Sequence, residues 1–477
     1  MEEVVEEVVN YNLGWISIIP LAIIFIVSII TKRTLFAMFC GVISASFMAA
    51  ATAGGGFLAG VSGVFPEFIG HLYSVMGGEG WQWITIVVAL IGILIEMLEK
   101  SGSAYGLGKL IESKAKTEKG VLLGSFFLGL VVFVDDYLSN LTVGATMKRL
   151  SDKHKVPRSQ LAFIALTMAG PVSLLIPISS WAVTYAGVME EQGIGGANPM
   201  LSFISSIPLI FYAWVILVIL LLQILGVIPK LGMIKKNYKK AAETGDVFPD
   251  GTSAPEISET MREAEAKAAK SKAEPFSFLI PIVVTILVTA FTGFDIISGT
   301  CAGIAVGGIY YIITKKLSLF GFLDACVNGI LRMGFVYILF ILAYSFNELN
   351  ALLGMPDFII GSVTPLMQGS LLPFITFIIC AIYAFFTGAC WDLTFIIAPI
   401  VVPLAMAIGV NPTLALCAVF SGALYGNVLC PYGDGVILTS QATDLKPMDV
   451  MYAISPYMLI GGGVSAVLYL IFGFIMG

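Results

Sequence analysis

Leu128–Gly144 reads LGLVVFVDDYLSNLTVG, with two adjacent carboxylates, Asp135 and Asp136, in the middle of an otherwise apolar run. The surrounding chain has 477 residues, of which 58% are hydrophobic and 12% charged, and its mean hydropathy is +0.95. Soluble domains carry about 25% charged residues, whereas repeated apolar runs of about 17–25 residues match a hydrocarbon core about 30 Å thick. The composition specifies an all-α polytopic membrane protein. In such a chain an ionisable side chain at depth is costly and functional by default.

Apolar runs capable of forming helices cover 14–30, 36–53, 81–99, 160–188, 201–229, 276–292, 295–313, 333–349, 412–438 and 450–475. One long polar segment, 230–275, holds nine Lys/Arg and eight Asp/Glu, and separates an N-terminal half (1–229) from a C-terminal half (276–477). It reads as a solvated cytoplasmic linker. The overall balance of 25 basic and 31 acidic residues offers no basic patch for phosphates, so nucleic acid is not an expected partner. The seven cysteines form no C-x-x-C pair and lie in or beside apolar runs, as small buried hydrophobes do. The start, MEEVVEEVVNYN, is acidic where a secretory signal would be basic, so no cleaved signal is expected.

Lys and Arg concentrate in cytoplasmic loops. Lys32 and Arg33 therefore place the end of the first helix inside and the N-terminus outside, and 54–80, which lacks Lys and Arg, reads as an outside loop. Lys119 precedes the opening stretch, and Lys148, Arg149, Lys153, Lys155 and Arg158 follow it, so both flanks are cytoplasmic. Two legs of about 14 residues reach only about 21 Å each, which makes 120–148 a re-entrant hairpin with Asp135–Asn140 at its tip. The run 371–408 repeats the pattern from the opposite side, around a polar tip at Gly388–Thr394. A proline-broken helix follows each hairpin, at 160–188 and at 412–438. Asn140 to Pro177 spans 37 residues and Asp392 to Pro431 spans 39. The expected fold is two inverted-topology repeats, each with a re-entrant hairpin and a broken transmembrane helix. Secondary transporters built this way bind cargo at the repeat interface.

A half-helix that ends at a hairpin tip aims its last carbonyls at the turn, and an added carboxylate makes an oxygen-rich site for a hard cation. Sodium and a proton can compete for such oxygens. The plainer reading, that Asp136 and Ser139 only cap the second leg, explains one acid but not two. Adjacent helical residues point about 100° apart, so one acid is expected at the ion and the other at a structural partner. Asn140 and Thr142 share the tip, and Ser173, Ser179 and Ser180 border the first break. In the second half Asp392, Thr394, Asn427 and Asp434 form the matching set. Asp136, Asn140, Asp392 and Asp434 are the first choices to hold Na⁺ or substrate, with Asp135 beside them. Glu96 and Glu99 lie near Lys100 and are expected to snorkel to the interface, as is Glu348; Asp444 and Asp449 read as interfacial. SAYGLGKL lacks the first Gly and the Ser/Thr of a P-loop, and the only histidines, His71 and His154, fall in expected loops. No enzymatic site and no cofactor is indicated, so transport would run on ion gradients.

DDYLSNLTVGATM, GPVSLLIPISSW and CPYGDGVILTS resemble the NhaC-type sodium/proton antiporter family. The resemblance covers nearly the whole chain and rests on Asp135, Asp136, Tyr137, Asn140, Gly144, Met147, Pro171, Pro177, Ser179 and Trp181. It implies paired hairpins in two inverted halves, a homodimer formed through scaffold helices in the cell membrane, and elevator-like alternating access. It also implies exchange of Na⁺ for H⁺ as the coupling ions, with organic solutes carried by some relatives. This chain departs from the family pattern at the second break, where Asn427, Cys430, Gly433 and Gly435 stand around Asp434, and at the second tip, with Ala389, Cys390 and Asp392. These departures make room for a different reading, a Na⁺- or H⁺-coupled carrier of an amino acid or carboxylate. A channel is the alternative from another class, which saturable counterflow would separate from a carrier.

Overall fold

The apolar runs fold as helices, because in hydrocarbon each backbone N–H must find its partner within the chain. The computed structural model describes residues 10–476 except Lys32, Ala197, 251–258, 271–273, Pro275, Thr364, 366–367 and Ala389. Of Ile29, Thr34, 259–261, Trp391 and Asp392 only the backbone is described. Among the described residues, eight helices are long and apolar enough to cross a membrane, or up to nine if one bent pair is a single span.

In chain order, α1 (Ile19–Thr31) turns back into α2 (Thr34–Ala53), and Gly41 of α2 leaves room for Ile24 of α1. The expected outside loop at 54–80 is instead mostly helix, α3 (Phe57–Gly77). The missing Lys and Arg speak to a side of the membrane and not to backbone conformation, and Gly60 and Gly63 pack against Phe47 and Ala50 of α2. His71 is therefore helical, with its Nδ1 2.8 Å from Glu348 Oε2. Glu348 thus has a protein partner where the sequence suggested an interfacial acid. Then come α4 (Glu79–Lys100) and α5 (Ser103–Lys114).

The opening stretch spans the turn between α6 (Glu118–Val131) and α7 (Asp136–Lys153). The start of α6 and the end of α7 lie together, since Ala115, Lys116, Arg149 and Lys153 line one cavity of about 570 Å³. Met147 also meets Gly124 across the legs, so the two helices run back along each other. Next, α8 (Arg158–Leu175) and α9 (Ser180–Glu191) are separated by 176–179. A second pair, α10 (Pro199–Ser206) and α11 (Phe211–Leu225), is bent by 54°.

The charged linker is not simply solvated. It contains α12 (Gly232–Thr244) and α13 (Glu259–Lys270), and both dock on the protein. In α12, Asn237 Nδ2 donates to Ser159 Oγ at 2.9 Å, and after it the Val247 carbonyl accepts from the Arg158 N–H at 3.0 Å. Ala264 and Ala268 of α13 are buried against Tyr105, Leu141 and Leu438. Alternating alanines and charges look hydrophilic as composition, yet at helical spacing they give one smooth face for close packing.

The second half comprises α14 (Phe276–Phe291), α15 (Ile296–Ile313), α16 (Leu319–Arg332), α17 (Gly334–Leu353) and α18 (Met355–Val363). It continues with α19 (Leu372–Thr387), α20 (Trp391–Ala407), α21 (Pro412–Leu429), α22 (Asp434–Thr443) and the long α23 (Pro447–Met476). Gly369 before α19 lies against Ile408 and Val410 after α20, so these two also form a hairpin. Burial distinguishes the helices by role. All of the α8 span is buried, and 78% of α21, whereas α14 to α16 expose Phe291, Ile309, Ile313, Phe320 and Leu331 as a lipid-facing wall would.

Candidate functional site

Each broken helix is tied to its own hairpin tip by one side chain. In the first half, Ser173 Oγ donates to the Phe133 carbonyl at 2.8 Å, and the Ser180 N–H donates to the Val134 carbonyl at 3.0 Å. Ser179 caps α9 by accepting from the Ala182 N–H at 2.9 Å, while its hydroxyl donates to the Ser173 carbonyl. In the second half, Asn427 Nδ2 donates to the Gly388 carbonyl at 2.7 Å and to Asp434 Oδ1 at 3.0 Å. The tip carbonyls expected to face an ion therefore already bind the broken helices. Prolines and glycines open the breaks, and these bonds close the freed backbone groups again.

Both tips and both breaks border one cavity of about 880 Å³. Asp135, Asp136 and Tyr137 enter from the first tip, Ser180 from the first break, Thr387, Gly388 and Cys390 from the second tip, and Tyr432 and Asp434 from the second break. Asp136 and Asp434 are the first residues of α7 and α22, and Ser180 is the first of α9. Helix N-termini carry about half a positive charge, which favours carboxylates placed there. The charges acting on Asp136 are those of Asp135 and Asp434, with the Trp181 indole beside it.

The two adjacent acids have different surroundings. Asp135 is the N-cap of α7, where Oδ1 accepts from the Leu138 N–H at 3.1 Å and Oδ2 accepts from Ser180 Oγ at 3.3 Å. Arg332 Nη2 also lies 3.4 Å from Asp135 Oδ1. The other sequence-selected residues stand behind the cavity wall. Asn140 Oδ1 accepts from Thr439 Oγ1 at 2.8 Å and so joins α7 to α22. Thr142 is fully buried two residues further along α7, and Thr394 is buried beside Tyr185. The Asp392 side chain lies outside the described residues. Among the described residues, no three acidic, His or Cys groups cluster tightly enough to hold a metal alone, so an ion here would draw on neutral oxygens and water.

Three of the interfacial expectations are corrected. Glu99 Oε2 lies 2.5 Å from Arg332 Nη1, and Glu96 bridges Arg332 at 3.5 Å and Lys100 at 3.7 Å. These acids join the site's charge network instead of reaching for solvent, because a partly buried guanidinium is nearer than bulk water. Asp444 is buried between Lys148 at 2.8 Å and Arg158 at 3.1 Å. Sequence reading passed over Arg332 and took Arg33 only as a topological flank, yet both line the cavity. The available signal for Arg332 was a single cation directly preceding an apolar run, in GILRMGFVY.

The sequence profile of the Na⁺/H⁺ antiporter family matches residues 172–474, from the first break through the last helix. The chain belongs to the Na⁺/H⁺ antiporter family. It is a multi-pass membrane transporter and not an enzyme. An uncharacterised protein of Haemophilus influenzae is 24% identical to this antiporter-family chain over 507 aligned positions, covering 98% of this chain and 92% of that one. Two solved transporters share the fold. MtrF of Neisseria gonorrhoeae, described with a class of antimetabolite efflux pumps, aligns with a TM-score of 0.63 at 15% identity, over 88% of this chain and 85% of its own. The YdaH transporter of Alcanivorax borkumensis, described as having an unusual topology, aligns at 0.60 and 15% identity, over 86% and 88%.

Proposed function

We propose that this transporter exchanges Na⁺ for H⁺, with Asp136 and Asp434 as the pair that trades one for the other. The observation that carries this reading is their convergence. Two acids on helices from opposite halves, distant in sequence, act on each other across one cavity. Loading a cation between them relieves their repulsion, and so does loading a proton, so the two ions compete. Ser180 and Thr387 would add neutral oxygens, while Asn427, Ser173 and Ser179 position the breaks and Asn140 joins α7 to α22 behind them. Lys and Arg placement supports an outside N-terminus and a cytoplasmic 230–275 segment. Matched hairpins and breaks support two inverted halves, with the hairpins moving elevator-like against the α14–α16 wall in a lipid-embedded homodimer.

The test is a proteoliposome assay with an internal pH dye and an imposed Na⁺ or Li⁺ gradient. Proton movement driven by cation alone is the expected result. Silence until an organic solute is added would overturn it. That outcome belongs to a second reading, coupled transport of an amino acid or carboxylate, which has its own observation. A cavity of about 880 Å³, walled in part by Val88, Ile91 and Phe335 and carrying Arg33 and Arg332, exceeds what a bare ion needs. A panel of amino acids and carboxylates in the same vesicles decides between the two.

A further inference from the structure

Arg332 ends α16 at the junction with α17 and extends its side chain into the cavity. Its guanidinium faces carboxylates on two helices at once, with Nη1 2.5 Å from Glu99 on α4 and Nη2 3.4 Å from Asp135 at the hairpin tip. Glu96, 3.5 Å away, completes an acidic surround. Guanidinium stays protonated at any biological pH and presents a rigid fork of donors, so one Arg can serve two acids where a Lys ammonium acts as a point charge.

We infer that Arg332 is an internal counter-cation that holds Asp135 out of the ion-binding set, so that Asp136 and Asp434 alone do the exchanging. The inference rests on the exchange reading above and deepens it by assigning different tasks to the two adjacent acids. Asp135 has its oxygens committed on every side: Oδ1 to the Leu138 N–H and to Arg332, and Oδ2 to Ser180 Oγ. A cation arriving at Asp135 would have to displace a tethered one whose local concentration never falls. Asp136, one residue on, lines the same cavity as Asp434, and the partners beside it are neutral, the Trp181 indole and its own backbone N–H. Three carboxylates around one cavity would otherwise repel one another strongly, and one would have to stay protonated. A fixed guanidinium offsets the Asp135 charge and leaves those of Asp136 and Asp434, which loading of Na⁺ or H⁺ then reduces.

The experiment measures Na⁺-dependent thermal stabilisation of the purified full-length protein, titrated at several pH values from neutral to alkaline. In the wild-type background, Asp136→Asn is expected to abolish the Na⁺ response, while Asp135→Asn shifts the apparent Na⁺ affinity by less than about threefold, or under 1 kcal/mol at 1.4 kcal/mol per tenfold. Arg332→Gln frees Asp135, so the apparent Na⁺ affinity at alkaline pH rises by about tenfold or more. Adding Asp135→Asn to Arg332→Gln should remove that gain. A merely structural arginine would lower stability without raising affinity, and would not make affinity depend on Asp135. The inference is overturned if Asp135→Asn alone costs as much as Asp136→Asn, or if the Arg332→Gln gain is absent or survives loss of Asp135. Should Arg332→Gln fail to fold, Arg332→Lys replaces it. It keeps the charge but loses the fork, and should give a smaller gain that still vanishes with Asp135→Asn. Failure of the exchange reading looks different, since the wild type and Asp136→Asn would then respond identically to Na⁺.

Discussion

The two hairpin-and-break units do the same structural job but exchange charge for neutrality at two equivalent positions. Both broken helices begin with an 18-residue segment, α8 in one and α21 in the other. Ser173 and Asn427 hold equivalent places, each third from the end of its segment, and each donates to a carbonyl of its own tip. Ser180 and Asp434 are equivalent as the first residues after the breaks, and Asp135 and Cys390 as the residues just before the second legs. In the first unit the carboxylates stand on the tip and the break is neutral. In the second, Cys390 is neutral where Asp135 stands, Asp392 follows two residues later, and Asp434 places a carboxylate at the break. At two equivalent places the charge is exchanged, Asp135 against Cys390 at the tips and Ser180 against Asp434 at the breaks, and all four residues border one cavity.

The comparison can be broken most severely at the acids themselves. Asp136→Asn and Asp434→Asn should each reduce cation-driven proton movement in proteoliposomes to background, although they sit in different units. A variant that kept exchange would show that the two halves are not partners. Cys390→Asp tests the asymmetry from the other direction. It gives the second tip a buried acid at the Asp135 position without a guanidinium, and should cost about 3–5 kcal/mol, read as a lowered thermal midpoint. Asn427→Ala removes two hydrogen bonds, one of them to a carboxylate, and should cost about 2–3 kcal/mol, against about 1 kcal/mol for Ser173→Ala with its single neutral bond. Equal losses would mean that Asn427 does not hold Asp434. An effect as small as that of Ser173→Ala is expected at Gly388, whose φ of +71° favours glycine. Gly388→Ala should cost about 1 kcal/mol in the same melting measurement.

Much of this arrangement was legible in the sequence, for a physical reason. Polar and helix-breaking residues are rare in lipid-facing chain, so DDYLSN, GPVSLLIPISS and CPYGDG stood out against their surroundings. What escaped was anything that depends on long-range pairing. Arg332 reaches Asp135 across 197 residues, and a cation at the end of an apolar run resembles an ordinary topological flank. Glu96 and Glu99 were misjudged for the same reason, since Lys100 beside them in sequence hid the guanidinium beside them in space. The helix at Phe57–Gly77 was read as a loop because a stretch without Lys and Arg marks a side of the membrane but says nothing of backbone conformation. Local chemistry marks where the chain must be special, but which charges meet is decided by packing.

The docked α13 has a mechanical consequence. Ala264 and Ala268 rest on Leu141 of α7 and Leu438 of α22, and Glu265 grips Lys148 on α7. Leu438 directly follows Ile437, which faces the cavity. The same alanines also touch Tyr105 of α5. If the hairpin slides along the membrane normal, this short amphipathic rod must either ride along or be peeled from one of its neighbours. On that movement the docked α13 would act as a spring as well as a tether, and its grip would limit how far the stroke can go.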